Sequence, residues 1–122
     1  TTGNFSVTGA SGADEDLFAF TPATLGGVTT GTWAIYFDGS DVSLTTGGED
    51  IDAAGVAGNG AIYLSTTGNF AVTGVSGADE DVFVCTPTSL GTITACTFGP
   101  SLAFDGSAWG LSGDDVDGFE LP

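Results

Sequence analysis

Residues 66–87, TTGNFAVTGVSGADEDVFVCTP, restate residues 1–22, TTGNFSVTGASGADEDLFAFTP. The match continues from Thr1–Trp33 onto Thr66–Phe98 at an offset of 65, and only 12 of the 33 pairs differ. A period of this length marks a tandem supersecondary unit, stacked or arranged in a circle, because one such unit cannot bury its apolar face alone. Phe37-Asp38-Gly39-Ser40 returns as Phe104-Asp105-Gly106-Ser107 after Gly99 and Pro100 are gained. The next turn of the second copy is two residues shorter, so Glu49-Asp50-Ile51-Asp52 faces Asp114-Asp115-Val116-Asp117 at the original offset. The expected units are residues 1–65 and 66–122.

Working outward, Gly beside Thr, Ser, Asn and Asp punctuates short apolar runs, which is the pattern of strands and turns. Gly and β-branched residues interrupt every window long enough for a helix. The class is all-β, with about four strands per repeat. Strands are expected at 16–21 and 81–86, at 32–38 and around 102–105, and at 61–66. Weaker ones are expected at 50–56 and 115–121, and short edges at 5–8 and 70–73. The first copy closes with Gly58-Asn59-Gly60-Ala61-Ile62-Tyr63-Leu64-Ser65, which has no counterpart after residue 121 or before Thr1. One repeat is therefore expected to lack a strand that its sister has. The chain also contains no methionine, as expected of a processed protein or an excerpt.

Four strands per unit with a Gly-x-Ile-Tyr-Leu opening (Gly60 to Leu64) resemble β-propeller blades. FDGSD (37–41), EDID (49–52) and GADED (12–16, 77–81) resemble the tandem modules of secreted bacterial proteins. The resemblance implies two tandem four-stranded antiparallel units, with a β-sandwich or an open solenoid-like array as alternatives. Propellers close with about 4–8 blades, so it also implies several chains per ring or an open array.

The chain has no Lys, Arg or His and 16 Asp and Glu, for a formal charge of −16 on 122 residues. Such charge opposes compaction, and no internal salt bridge can relieve it. Phosphate contacts need cationic side chains, so nucleic acid is not an expected partner. No run approaches the ~18 apolar residues that span a bilayer, so membrane insertion is not expected. A hydrophobic content of 41% with nine Phe is too apolar for an acidic disordered tail.

In a strand, residues two apart share a face, which pairs Asp14 with Asp16 and Asp50 with Asp52. Their copies are Asp79 with Asp81 and Asp115 with Asp117. Hard carboxylate oxygens suit Ca²⁺, and these eight residues are the expected ligands. The alternatives are a solvated acidic face, or Asp accepting backbone N–H groups in turns. Cys85 and Cys96 replace Phe20 and Gly31 in the second copy only. Their joint appearance across one connection predicts a cross-hairpin disulfide, with two buried free thiols as the alternative. Asn4-Phe5-Ser6 is a glycosylation sequon, whereas Asn69-Phe70-Ala71 is not. The Thr pairs at 1–2, 29–30, 45–46 and 66–67 offer hydroxyls for O-linked sugar. Trp109, where the first copy has Val42, reads as a core or interface residue, or as a sugar-stacking platform.

The function expected from these features is an extracellular or cell-surface structural repeat that self-assembles into a filament or layer, or a ring. A lectin-like module that binds glycans is the alternative. Enzyme activity is not expected, because the carboxylates come in two equivalent sets and catalytic pairs need differentiated environments.

Overall fold

The computed structural model describes residues 3–122 and is all-β. In chain order the strands are β1 (Phe5–Val7), β2 (Ala10–Gly12), β3 (Leu17–Thr24), β4 (Thr30–Phe37) and β5 (Ile51–Val56). They continue with β6 (Ile62–Thr66), β7 (Phe70–Val72), β8 (Val75–Gly77), β9 (Phe83–Ser89) and β10 (Ala95–Phe98). Short 3-10 turns at Ser40–Val42 and Ser107–Trp109 mark the same point in each repeat.

Pairing crosses the repeat boundary. Strands β10-β9-β6-β5 form one four-stranded antiparallel sheet, while β1-β2, β3-β4 and β7-β8 are separate two-stranded hairpins. The sheet thus takes two strands from the first copy and two from the second. β6 is its hinge, with Ile62 opposite both Val56 and Cys85, and Leu64 opposite both Ala54 and Phe83. Only Tyr63 on β6 is not buried, as suits a central strand covered on one face and largely screened on the other.

Two expected strands differ for local reasons. Residues 115–121 are irregular. Their sister strand β5 is held by β6, and no second β6 stands beside them among the described residues. Phe119 and Leu121 instead lie over Gly55, where an added Cβ would sit 3.0 Å from Leu121 Cδ1. Around Leu102 only a single bridge, Val82 to Phe104, forms. β10 stops at Phe98 because Gly99-Pro100 follows, and proline has no N–H for the ladder. The sequence pattern showed β1 and β7 as edges but missed β2 and β8. Each hairpin turns on a two-residue Thr-Gly loop whose glycine, Gly9 or Gly74, has φ of 93° or 95°. A positive φ only at the second loop residue is the type II pattern, which calls for glycine.

The core is shared between the copies. Phe37, Val42, Leu44 and Ile51 of the first copy pack with Ile62 and Leu64 of β6. They also pack with Phe70, Val72, Phe83 and Cys85 of the second copy. Phe37, Leu44, Ile62, Leu64 and Phe83 have no exposed surface. Burying such side chains contributes about 1.5–3 kcal/mol each, so the repeats stabilise each other rather than fold as separate beads.

Candidate functional site

The repeated motifs first serve the fold. In the GADED loop the Asp16 carboxylate accepts the N–H of Ala13 at 2.8 Å and the N–H of Gly39 at 2.9 Å. Asp81 does the same with Ala78 at 2.9 Å and Gly106 at 3.0 Å. Gly39 and Gly106 approach so closely that an added Cβ would lie 2.3 Å from the backbone oxygen of Glu15 or Glu80. The GADED and FDGS motifs are therefore one clamp, made twice. Asp16 and Asp81 are buried with both oxygens engaged, so they follow the turn alternative read from sequence.

The same elements build the junction between copies. Glu49 is buried, and its carboxylate accepts the N–H groups of Thr45, Thr46 and Ala71 and the hydroxyl of Thr46. Desolvation pushes its pKa up, but these donors outweigh it and hold the carboxyl below its ordinary value. Ala71 lies on β7, so Glu49 ties the copies together. Asp41 accepts the N–H of Thr94 at 2.8 Å, and the Asp38 N–H donates to the Thr94 hydroxyl at 2.9 Å. The Gly91 N–H donates to the Tyr36 carbonyl at 2.9 Å. Glu49→Ala strands several donors in a buried place, and a loss of about 3 kcal/mol is expected in denaturant titration. A loss under ~0.5 kcal/mol would show that the junction does not depend on it.

The EDID segments lie beside the GADED loops. The Ile51 N–H donates to the Asp14 carbonyl at 3.2 Å, and the Val116 N–H to the Asp79 carbonyl at 3.1 Å. Carboxyl groups meet there. Desolvation, then the charge of Asp14 and a hydrogen bond with it, raises the pKa of Asp50. Desolvation also leads at Asp115, followed by the charge of Asp52, a hydrogen bond with it, and the charges of Asp79 and Asp117. Together they raise Asp115 to about 6. Ser65 Oγ lies 2.6 Å from both Asp52 Oδ1 and the Val116 carbonyl, so its hydroxyl is directed at two acceptors of this region. Asp52 Oδ2 is a buried atom with no partner.

A raised carboxyl pKa means that the folded state holds the proton more tightly than the unfolded chain. That stability is full below the unfolded value of 3.8 and is lost as pH rises through about 6. Glu49 works the other way, stabilising above its unfolded value of 4.5 and failing as pH falls through its lower folded value. Asp115 is exposed on its outer side, so salt weakens its part. Thermal unfolding at low, fixed ionic strength is expected to give a higher Tm near pH ~5 than near pH ~8, with a fall in stronger acid. Asp115→Asn should flatten the rise, and a Tm that climbs steadily to pH ~8 would contradict the raised Asp115 value.

Cys85 and Cys96 form the expected disulfide, with Cα atoms 5.3 Å apart. Trp109 is 78% exposed on its 3-10 turn. Asn4 is exposed ahead of β1, as are Thr29, Thr30, Thr45 and Thr46. Thr66 is fully buried and donates to the Gly68 carbonyl, which removes it as a sugar acceptor. Thr1 and Thr2 lie outside the described residues. Among the described residues no three His, Cys, Asp or Glu side chains are grouped to hold a metal ion, and no helix is long and apolar enough to cross a membrane. The chemistry of this region is thus that of a cohesive junction beside closely spaced carboxyls, two of which, Asp50 and Asp115, are held above their ordinary values. No protein-family model, curated protein or solved structure matches the chain.

Proposed function

We propose that this chain is a structural module of an extracellular or cell-surface repeat array, self-assembling into a filament or layer. The observation that carries this is the place of β6. The last strand of the first repeat is the middle of a sheet whose other half belongs to the second repeat. A unit that completes its neighbour is suited to propagation. β3 is the sister of β9, yet it pairs only with β4 among the described residues. Its other edge can recruit a strand. A four-stranded antiparallel sheet is the element of a propeller blade, and here its strands follow chain order with the β7-β8 hairpin inserted between β6 and β9, so successive units are proposed to stack as blades of a ring or of an open array.

The disulfide suits an oxidising compartment, and a chain without Lys or Arg offers trypsin-like proteases no site. Ca²⁺ enters the proposal as a counter-ion bridging the acidic seam of Asp14, Asp50, Asp52, Asp79, Asp115 and Asp117, rather than sitting in a closed cage. Light scattering across a concentration series tests both points. The mass is expected to grow with concentration, and Ca²⁺ to lower the onset relative to EDTA and to ionic-strength-matched sodium chloride. A monomer throughout would refute self-assembly. Matching Ca²⁺ and salt curves would remove the ion. The exposure of Trp109 also favours a second reading, glycan binding. Oligosaccharide quenching of its fluorescence at constant mass would support that one.

A further inference from the structure

The internal junction specifies the two halves of an external one. In the first copy Phe37, Val42, Leu44 and Ile51 are 0%, 8%, 0% and 3% exposed, because the second copy covers them. Their sisters are Phe104, Trp109, Leu111 and Val116. Phe104 and Trp109 are 36% and 78% exposed, and Leu111 and Val116 are only half-buried. Phe104, Leu111 and Val116 line an apolar groove of about 430 Å³ with Phe119 and Leu121. At the other end the relation is reversed. Phe70, Val72 and Phe83 are buried against the first copy, while their sisters Phe5, Val7 and Phe18 are half-exposed. The ring pairs are otherwise alike, with centroids 3.9 Å apart for Phe5 and Phe18 and 4.0 Å for Phe70 and Phe83.

Each open face already has the shape of its sister in the closed junction. The loop that carries Gly91 and Thr94 into the junction has Gly91 at φ 100° and the Thr94 hydroxyl on the Gly91 carbonyl at 2.9 Å. The exposed loop of the first copy has Gly26 at φ 108° and the Thr29 hydroxyl on the Gly26 carbonyl at 3.0 Å. On the opposite face, the turn entered at Gly106 (φ −67°, ψ −32°) matches the one entered at Gly39 (φ −69°, ψ −32°). Neither face has to be rebuilt before it can dock, which removes an ordering cost.

We infer that the 104–116 face of one copy binds the first-repeat face of a second copy, formed by Phe5, Val7, Phe18 and the Leu25–Thr29 loop. This rests on the self-assembly proposed above and names the surfaces. The contact is head-to-tail, so it propagates into a ring or a filament. It repeats the internal backbone contacts, with the Gly26 N–H donating to the Ala103 carbonyl and the Asp105 N–H to the Thr29 hydroxyl. It differs in its side chains. Ala108 replaces Asp41 and the shorter Asp114 replaces Glu49, so two carboxylate ties weaken. Trp109 replaces Val42 and adds aromatic area, the kind of residue on which reversible interfaces depend.

Sedimentation velocity on the whole 122-residue protein tests this with two variants at exposed positions. Trp109→Glu blocks the tail face. Leu25→Glu blocks the head face, since Leu25 is 75% exposed while its sister Leu90, beside the junction, is 39% exposed. Circular dichroism and an intact Cys85–Cys96 bond verify the fold of each. The wild type should assemble, and each variant alone should need at least ~10-fold more protein to do so. The two variants mixed should form a dimer that grows no further, because each keeps the face the other has lost. A wild type that assembles while the variants are unchanged, or a mixture that gives no dimer, overturns these faces and leaves self-assembly standing. A wild type that stays monomeric overturns both.

Discussion

Replacing Asp81 with alanine is expected to lower unfolding stability by about 3 kcal/mol, since one buried and one half-buried N–H group lose a charged acceptor. Ala78 and Gly106 are those donors, and no other acceptor is paired with them. Asparagine should be nearly as harmful. Its amide oxygen can accept one N–H, but its NH₂ then faces the other donor. Gly106→Ala attacks the same clamp from the opposite side. Its Cβ would lie 2.3 Å from the Glu80 backbone oxygen, and a backbone atom cannot swing aside as a flexible side chain can. Asp16→Ala and Gly39→Ala are the matching changes in the first copy. Equilibrium denaturation of all four variants checks the clamp. Losses below ~0.5 kcal/mol would make GADED and FDGS ordinary surface turns.

Opening the Cys85–Cys96 bond is the second large expected effect. The bond closes a short loop, for which the chain-entropy relation gives about 3 kcal/mol or a little less. Cys85 has no exposed surface, so serine there adds the cost of a buried hydroxyl. The first copy supplies a control. Cys85 pairs with Phe98 and Cys96 with Pro87, just as Phe20 pairs with Trp33 and Gly31 with Pro22. The Phe20 ring covers Gly31 closely enough that an added Cβ would be 2.5 Å from it. Ring-over-glycine and disulfide are two solutions for one diagonal. Phe20→Cys with Gly31→Cys should therefore oxidise to a second disulfide once the β3–β4 backbone shifts to admit a Cβ that would otherwise lie 2.3 Å from the Thr21 backbone oxygen. Two alkylatable thiols in that variant, by mass spectrometry, would contradict the shared register.

Much of this was legible in the chain. The offset of 65 located both GADED loops and the strands they flank, and its local shift to 67 located both FDGS turns. The joint appearance of Cys85 and Cys96 identified the bond. Pairing partners were less accessible, because periodicity shows which face of a strand is apolar but not which neighbour it meets. Gly58–Ser65 was recognised as the unduplicated strand, yet its place between β5 and β9 became clear only in three dimensions. Residues 115–121 carry the pattern of β5 without its partner, so the pattern alone gave a strand that does not form. The acid pairs read along a strand, Asp14 with Asp16 and Asp50 with Asp52, are not the ones that meet. Asp16 turns inward to backbone donors, while Asp50 meets Asp14 and Asp115 meets Asp52 across the chain.

Negative-stain electron microscopy of the freshly purified protein, at high concentration and near pH ~5, below the folded-state value of about 6 for Asp115, tests the central claim most directly. Extended filaments, sheets or closed rings with a regular subunit repeat are the expected result. Fields empty of any assembly larger than the 12.0 kDa chain, at every concentration and in the presence of Ca²⁺, would contradict it.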